Sequence, residues 1–494
     1  MSEISVEKIN TRLNSLKEDK SWLEGKFDDL KKYFLLPYEK DKHDVNSLGF
    51  CACEQLAAFL HTSMTNPSVK WLSLNPMDEN RDDKEVLSWL QKTEDIIYEV
   101  FSSPESYLNS QIHEMYLELV GFGTGVLYIQ EDKESPFGLY FISVPIKECF
   151  IDESHNGTVD TVYREFVMTV RQVESMFDQE LTGEQDKAAE IVILHAVEPD
   201  PDSLNKYISV YINKKDNTVL DEYSLDYMPY LVVRWSKRAG TKYGVSPAMI
   251  ALSEMKRLQQ YEKMIERQSL LALDPPLFIS NNDSQNPIQR EAGGVNFYRN
   301  PNEKAYTLPV GDISIGEWLF NEKKEAVSRC FYLDVINFQP DKTMTATEVM
   351  QRMQHQAKVM SPVTSRIESE LLRPLVIKTY QVLAKSNNSV LPETSGQFSL
   401  DKVKFEYISS LSRGQKIEET DQYNRLLDIT SMISNFDPTI VDNINFQEFL
   451  KQTFKSHNIS LDILRSEQEV ESIRKERQSA SAEEQQAQPN LMEG

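Results

Sequence analysis

The chain has 494 residues, 40% hydrophobic and 26% charged, which is typical of a folded protein of roughly two to four domains. Its 77 acidic residues outnumber 53 basic residues, and the net charge of −24 argues against a general nucleic-acid binder, because phosphate contacts depend on Lys and Arg. Four scattered cysteines, an N-terminus without a signal peptide, and no run near the ~20 apolar residues of a membrane span predict a soluble cytoplasmic product with free thiols.

The N-terminal region is predicted to be mainly helical. Residues 5–35 carry one apolar face, made of Trp22, Leu23, Phe27, Leu30 and Phe34. Three further helices are expected: from about Gly49 to Asn66, through "DDKEVLSWLQKTEDIIYEVFSS", and from Tyr107 to Val120.

From residue 125 the apolar pattern changes from the period of a helix to that of a strand. Seven segments alternate or run apolar: "GVLYIQED", "GLYFISV", "VDTVYREFVMTV", "EIVILHAV", "KYISVYIN", "TVLDEY" and "YLVVRW". Asn156-Gly157 and Asp216-Asn217 are typical of hairpin turns between them. Residues 125–235 are therefore predicted to form mostly antiparallel sheet.

A long helix is predicted after this sheet, with Ser246 as its N-cap and Pro247 at its first position. Asp274 and two following prolines end it, and residues 275–310 suggest a small β-rich insertion. A helix at about 313–331 and the loop "LDVINFQPDKTM" follow.

The segment from Asp341 to Val376 predicts a second long helix that begins with a capping box, Thr345 and Glu348. If the helix continues to about Ala384, its length is about 58 Å. Its apolar seam alternates steps of four and three: Ala346, Met350, Met353, Ala357, Met360, Thr364, Ile367, Leu371 and Pro374. Pro362 is expected to kink it. By periodicity alone, a core helix of an α-rich domain explains the seam equally well.

Helices near 414–434 and 446–476 close the chain, and the last residues, "QSASAEEQQAQPNLMEG", lack the apolar content to fold alone. No internal repeat is present. The predicted class is helix-rich α+β.

Several motifs resemble catalytic signatures, but each lacks a feature that the corresponding site requires. Gly121 to Gly125 follows a helix and enters a strand, which is the reverse of a dinucleotide loop. The sequence around Ser246 resembles a nucleophile elbow, but Pro247 lacks the N–H that the oxyanion hole requires. His113-Glu114 lacks the second histidine of a zinc motif, and no P-loop is present. No catalytic residue, metal or cofactor is predicted.

Five segments in order resemble one family, the portal proteins (head-to-tail connectors) of short-tailed bacteriophages. The segments are "LAAFLHTSMTNPSVKWLSLNP", "VGFGTGVLYI", "YGVSPAMIALSEMKRLQQYEKMIERQSLLALDPPL", the long helix with T-A-T-E-V and "ESELLRPL", and "VKFEYISSLSRGQK". They span roughly residues 56–416. The chain is short for the family, and little follows the final helices.

The resemblance implies a portal fold with a wing, stem, clip and crown. Its expected boundaries are 1–245 for the N-terminal helices and antiparallel-sheet wing, 246–272 and 312–332 for the stem helices, 273–311 for the clip, 333–344 for the tunnel loop, 345–413 for the long wing helix and closing strand, 414–477 for the crown helices, and 478–494 for a disordered tail.

The resemblance also implies a function without catalysis. Portals form a homo-oligomeric ring, usually a dodecamer, at one capsid vertex of the virion after assembly in the host cytoplasm. Double-stranded DNA passes through the ring during packaging and ejection. Expected partners are the terminase motor, the tail adaptor, and the capsid and scaffolding proteins, with no membrane.

The residues expected near DNA follow from the same resemblance. Asn337, Phe338, Gln339 and Lys342 of the tunnel loop would face the channel, where one lysine per subunit gives weak, sequence-independent phosphate contact. Pro362 would bend the long helix between the strut behind this loop and the crown. The stem charges Lys256, Lys263 and Arg267 could face DNA, a neighbouring subunit or solvent.

The sequence is also compatible with two other functions. A cytoplasmic helical adaptor would use the apolar seam to bind partner helices, and it would be a monomer or dimer. A nucleic-acid enzyme with a dispersed site would show metal- or nucleotide-dependent turnover.

Overall fold

The structure is a computed structural model that describes residues 6–35, 46–76, 84–132, 135, 137–178, 186–203, 206–280, 288–298, 306–307, 313–337, 345–385, 391, 403–407, 429–433, 449, 470 and 472–473. The chain divides into two compact units, Met1–Ser410 and Leu411–Gly494. Most described residues belong to the first unit. In the second, residues 429–433 are helical. The predicted C-terminal helices lie almost wholly outside the described residues, and the predicted tail lies entirely outside them.

Four N-terminal helices form where the apolar spacing predicts them: α1 (Val6–Leu30), α2 (Leu48–Met64), α3 (Lys84–Ser102) and α4 (Leu108–Phe122). A π-helical turn, Lys31–Leu35, extends α1. The predicted apolar face of α1 is buried except at Trp22, which is exposed with the Lys26 ammonium over its ring. The prediction for Trp22 was therefore wrong, because an aromatic ring that shields a lysine stem does not require a place in the core.

Two antiparallel sheets occupy the region where strands are predicted. One contains β3-β2-β9 and the other β4-β5-β6-β7-β8. The strand bounds are β2 Thr124–Glu131, β3 Leu139–Val144, β4 Cys149–Glu153, β5 Val159–Thr169, β6 Glu190–Pro199, β7 Tyr207–Asn213, β8 Thr218–Leu225 and β9 Tyr230–Arg234. Gly157 and Asn217 adopt positive φ in the two predicted hairpin turns.

Each face of the five-stranded sheet is covered by a helix. Ile9, Leu13 and Leu16 of α1 pack on one face. On the other face lies a short helix, α5 (Val170–Phe177), whose buried residues are Val170 and Val173. Apolar residues therefore alternate to both sides of these strands.

The remaining elements form the helical part of the first unit. They are α6 (Pro247–Leu273), β10 (Leu277–Ser280), β11 (Val295–Tyr298), β12 (Tyr306–Thr307), α7 (Ile313–Cys330), α8 (Leu333–Ile336), α9 (Ala346–Ile367), a π-helical turn (Glu368–Leu372), α10 (Arg373–Lys385) and β13 (Val403–Tyr407). β13 pairs with β1 (Leu72–Pro76), and the other three strands form the order β11-β10-β12. Pro362 lies inside α9, which continues beyond it.

Candidate functional site

Helices α6 and α7 form a hairpin whose far half has no core of its own. Ser246 caps α6 by accepting a hydrogen bond from the Met249 N–H at 2.9 Å, and the buried residues of α6 end at Gln259. In α7 the one buried residue is Val327. Beyond these points the two helices contact mainly each other, because no described residue from 260 to 273 or from 313 to 326 is buried.

The far half of this hairpin carries large apolar side chains on its surface. Those that are more than half exposed are Met264, Leu270, Leu273, Ile315 and Trp318. The adjoining three-stranded sheet adds partly exposed Leu277, Ile279, Val295 and Phe297. An apolar surface of this extent is typical of a site that another molecule covers.

The base of α6 is fixed by a tight glycine contact with the strand β2. Gly123 adopts φ +81°, and a Cβ added to it would lie 2.5 Å from the Gly244 carbonyl oxygen. The Ser246 hydroxyl donates to the Gly121 carbonyl at 2.8 Å. The predicted helix-to-strand corner is therefore also the point where α6 leaves the sheet.

Replacing Gly123 with alanine is expected to lower the free energy of unfolding by more than the same change at Gly240. Gly240 also has positive φ, +80°, but no atom lies within 4 Å of its added Cβ. Gly240→Ala should therefore cost about 1 kcal/mol through backbone strain alone, whereas Gly123→Ala adds a steric clash and should cost about 2 kcal/mol or more. Urea unfolding of both variants measures the difference. Equal losses would show that the backbone contact is not needed.

The three α6 cations that could face DNA, a neighbouring subunit or solvent lie in different environments. Lys256 forms an ion pair with Asp29 of α1 at 2.5 Å. Lys263 and Arg267 are exposed and form no ion pair with any residue that the structure describes. The distal two are therefore free to meet another charged molecule.

The predicted tunnel loop begins with structure of its own. Leu333–Ile336 form the short helix α8, and the Asn337 side chain donates to the Gln55 side chain of α2 at 2.9 Å. Phe338, Gln339 and Lys342 lie outside the described residues.

The junction between α7 and α8 anchors the start of this loop. Phe331 is fully buried, with its ring 5.7 Å from that of Phe34. Tyr332 adopts φ +56°, which is unusual for a bulky residue, and its ring lies 6.4 Å from that of Trp235. The predicted loop therefore starts from a fixed point of the first unit.

The long helix behind the loop is anchored at its far end. Both reciprocal bonds of the capping box at Thr345 and Glu348 form. Along the seam, Met353 is exposed, whereas Ala357, Met360 and Ile367 are buried. Among the seam residues of α9 whose side chains the structure describes, burial therefore begins at Ala357.

An ion-pair network that no motif predicts joins this helix to the sheet. The side chain of Arg234, at the end of β9, is 3% exposed and pairs with Glu370 in the π-helical turn at 2.7 Å. Arg234 also contacts Glu153 of β4. Neighbours so distant along the chain leave no local pattern in the sequence.

The buried His195 has a structural role, as the sequence predicts for its isolated histidines. Its two ring nitrogens hydrogen bond to the hydroxyls of Tyr230 at 2.7 Å and Ser209 at 2.9 Å. Burial lowers the pKa of His195 well below its ordinary value, so the ring is neutral.

No chemical centre emerges from the side chains that the structure describes. Among those residues, no group of three His, Cys, Asp or Glu side chains is arranged to hold a metal ion. The four cysteines are free thiols, and no described helix has the length and apolarity to cross a membrane.

Comparisons with known proteins identify relatives over almost the whole chain. The family model described as bacteriophage head to tail connecting protein matches residues 6–464. The chain is 26% identical to a probable portal protein of Bordetella phage BPP-1 over 475 residues, which cover 90% of this chain and 83% of that protein. It is 23% identical to the portal protein of Salmonella phage epsilon15 over 517 aligned positions, covering 97% and 92% of the two chains.

Proposed function

The chain belongs to the family of bacteriophage head-to-tail connecting proteins, and we propose that it forms a closed dodecameric ring at one vertex of the phage head. Its function is that of a portal, a virion component through which DNA is packaged. The family match over nearly the whole chain does not favour the helical-adaptor alternative. The proposed role is structural, without catalysis.

The main support for a ring is the hairpin formed by α6 and α7. Each helix of a pair buries only one stripe against its partner, so an isolated two-helix projection leaves its other faces in water. Here those faces carry Met264, Leu273 and Trp318, each more than half exposed. In a ring, hairpins from neighbouring subunits supply the missing contacts.

The remaining regions fit the portal architecture. We assign the helices and sheets of residues 1–245 to the wing, 246–272 and 312–332 to the stem, and 273–311 to the clip. Residues 345–413 would be the long wing helix with its closing strand, and 414–477 the crown. Support comes from the three-stranded sheet between α6 and α7, which is the small β-containing insertion that a clip requires.

The DNA contact is assigned to the tunnel loop, residues 333–344. The loop starts at the anchored Tyr332 and ends at the capped start of α9, so the wing holds both of its ends. Asn337, Phe338, Gln339 and Lys342 would face the duplex, with Lys342 as the phosphate contact. Weak contact suits a conduit, because tight binding would stall transport.

The proposed partners follow from the positions of these regions. The clip would bind the terminase motor during packaging and the tail adaptor afterwards, while the wing would contact capsid and scaffolding proteins. Assembly would take place in the host cytoplasm.

Replacing Leu273 with aspartate tests the role of the hairpin. The variant is expected to lower the fraction of chain in rings at least tenfold, because a charge would be buried at each subunit contact. Val219→Asp is the matched control, since Val219 is an exposed apolar residue of β8 in the wing. Native mass spectrometry measures the fraction of chain in rings for both variants. Normal ring assembly by the Leu273 variant would contradict the proposed stem contact.

A further inference from the structure

The outward sides of the stem hairpin are defined by the contact between its two helices. The Ile265 Cγ1 atom lies 3.1 Å from the position that a Cβ on Gly316 would take, so these residues face each other. Two residues correspond to roughly 200° around a helix. Lys263 and Arg267 of α6 therefore lie on the side away from α7, and Trp318 of α7 lies on the side away from α6.

The outward side of α6 is basic. Lys256, Lys263 and Arg267 are separated by seven and four residues, which places them on one stripe. Asp29 compensates Lys256, whereas the two distal cations form no ion pair with a described residue. This half of the stripe therefore lacks a counter-charge among the residues that the structure describes.

The outward side of α7 is aromatic and acidic. Trp318, Glu322 and Glu325 follow at spacings of four and three residues. Trp318 is 65% exposed, Glu325 is exposed and forms no ion pair with a described residue, and Glu322 lies 3.7 Å from its neighbour Lys323. An indole face followed by two carboxylates is a surface that attracts Lys and Arg side chains.

The two stripes also lie at matching heights along the hairpin. The helices are antiparallel, so Lys263, two residues before Ile265, and Trp318, two residues after Gly316, lie at about the same level. Arg267 lies about 6 Å further along, within reach of a long side chain. If neighbouring subunits are related by rotation about an axis parallel to the hairpin, residues at the same height on adjacent hairpins lie opposite each other.

We propose that Lys263 of one subunit packs on Trp318 of the next subunit and pairs with its Glu322, while Arg267 packs against the same indole from one turn away and Glu325 extends the acidic stripe beyond Glu322. This inference rests on the proposed ring and specifies which faces meet in it. The occupant of the basic stripe is thus a second copy of the chain, with which the charge is complementary. These two cations belong to the subunit interface and not to the DNA channel.

Charge exchange in the full-length chain tests this pairing. Lys263→Glu with Arg267→Glu, and separately Glu322→Lys with Glu325→Lys, should each weaken ring assembly about tenfold or more by placing like charges together. The four substitutions combined should restore most of the ring fraction. Lys324→Glu is the control, because Lys324 is exposed on α7 but lies off its outward stripe. Unfolding midpoints establish that each variant folds.

Carbodiimide cross-linking of the wild-type chain gives a second readout that needs no substitution. In rings mixed from isotopically light and heavy subunits, Lys263 should be joined to Glu322 or Glu325 of a differently labelled chain. Absence of such inter-chain pairs in intact rings would overturn the proposal.

The outcomes separate this inference from the function on which it rests. If the wild-type chain forms no ring, the proposed function fails and the interface fails with it. If rings form but charge reversal leaves them intact, only the interface assignment fails. Intact rings with reduced DNA retention after Lys263→Glu and Arg267→Glu would instead place these residues in the channel.

Discussion

Replacing Arg234 with methionine should lower the free energy of unfolding by about 3 kcal/mol, because it removes the buried guanidinium shared by Glu153 and Glu370 and leaves each carboxylate with only a more exposed cation, Lys237 or Arg366. Arg234 pairs with Glu370 at 2.7 Å and also contacts Glu153, and both carboxylate side chains are 16% exposed. The guanidinium further donates to the Gly157 carbonyl at 3.1 Å. One side chain therefore joins two sheets to the π-helical turn after α9.

Urea unfolding at neutral pH measures this loss. Arg238→Met is the matched control, since Arg238 is exposed, and it should change the free energy of unfolding by less than about 0.5 kcal/mol. Adding Glu370→Gln to Arg234→Met should recover part of the loss, because it removes a largely buried carboxylate that Arg366 alone then compensates. An Arg234 variant as stable as the control would show that the network contributes no stability.

The position of this network gives it a consequence for the channel. Glu370 lies in the turn between α9 and α10, and α9 begins at the end of the tunnel loop. Loss of Arg234 should therefore loosen the attachment of α9, and with it the end of the segment proposed as the tunnel loop. A search for charged residues near DNA would not identify this ion-pair network.

Replacing Lys20 with methionine is the second change with a large expected effect, a loss of about 3 kcal/mol. The fully buried Lys20 ammonium donates to the carbonyls of Ile146 and Lys147, both at 2.8 Å, and of Cys149 at 3.0 Å. It also lies 4.4 Å from the centre of the Phe150 ring. Methionine fills the space but removes the donor to all three carbonyls, of which that of Ile146 keeps a second bond from the Cys149 N–H.

The stability that Lys20 contributes should depend on pH. Burial lowers the pKa of Lys20 from 10.5 to about 8. Between these two values the unfolded chain binds more protons than the folded chain, so the free energy of unfolding rises with pH across this range. The stability difference between the wild type and Lys20→Met should therefore widen from pH 8 to pH 10.

Unfolding titrations across this range, with exposed Lys8→Met as control, test the sign. A difference that stays constant or narrows as pH rises would show that Lys20 is not desolvated in the folded chain. The free energy of unfolding of the Lys8→Met control should match that of the wild type at every pH.

Much of the first unit could be predicted from apolar periodicity, and the errors have specific causes. The short helix α5 was predicted as part of the sheet because its apolar residues continue the pattern of β5. Its signal was nevertheless present: Thr169 and Gln172 form both bonds of a capping box. β4, Cys149–Glu153, was not predicted either.

The candidate site was less predictable, because its contacts join distant parts of the chain. The cap at Ser246 and the start of α9 at Thr345 follow from local motifs, and the structure confirms both. The pairing of Arg234 with Glu370 spans 136 residues, and no spacing rule indicates it. The surface position of Trp318 depends on which side of α7 meets α6, and this is decided by tertiary packing.

The proposed portal function depends most on the ring. Electron microscopy of the purified full-length chain, together with native mass spectrometry, tests ring formation most directly. We expect closed rings with a central channel wide enough for a DNA duplex and the mass of a dodecamer of 57.0 kDa subunits. A stable, compact dimer that forms no ring at any concentration would contradict the portal assembly proposed for this chain.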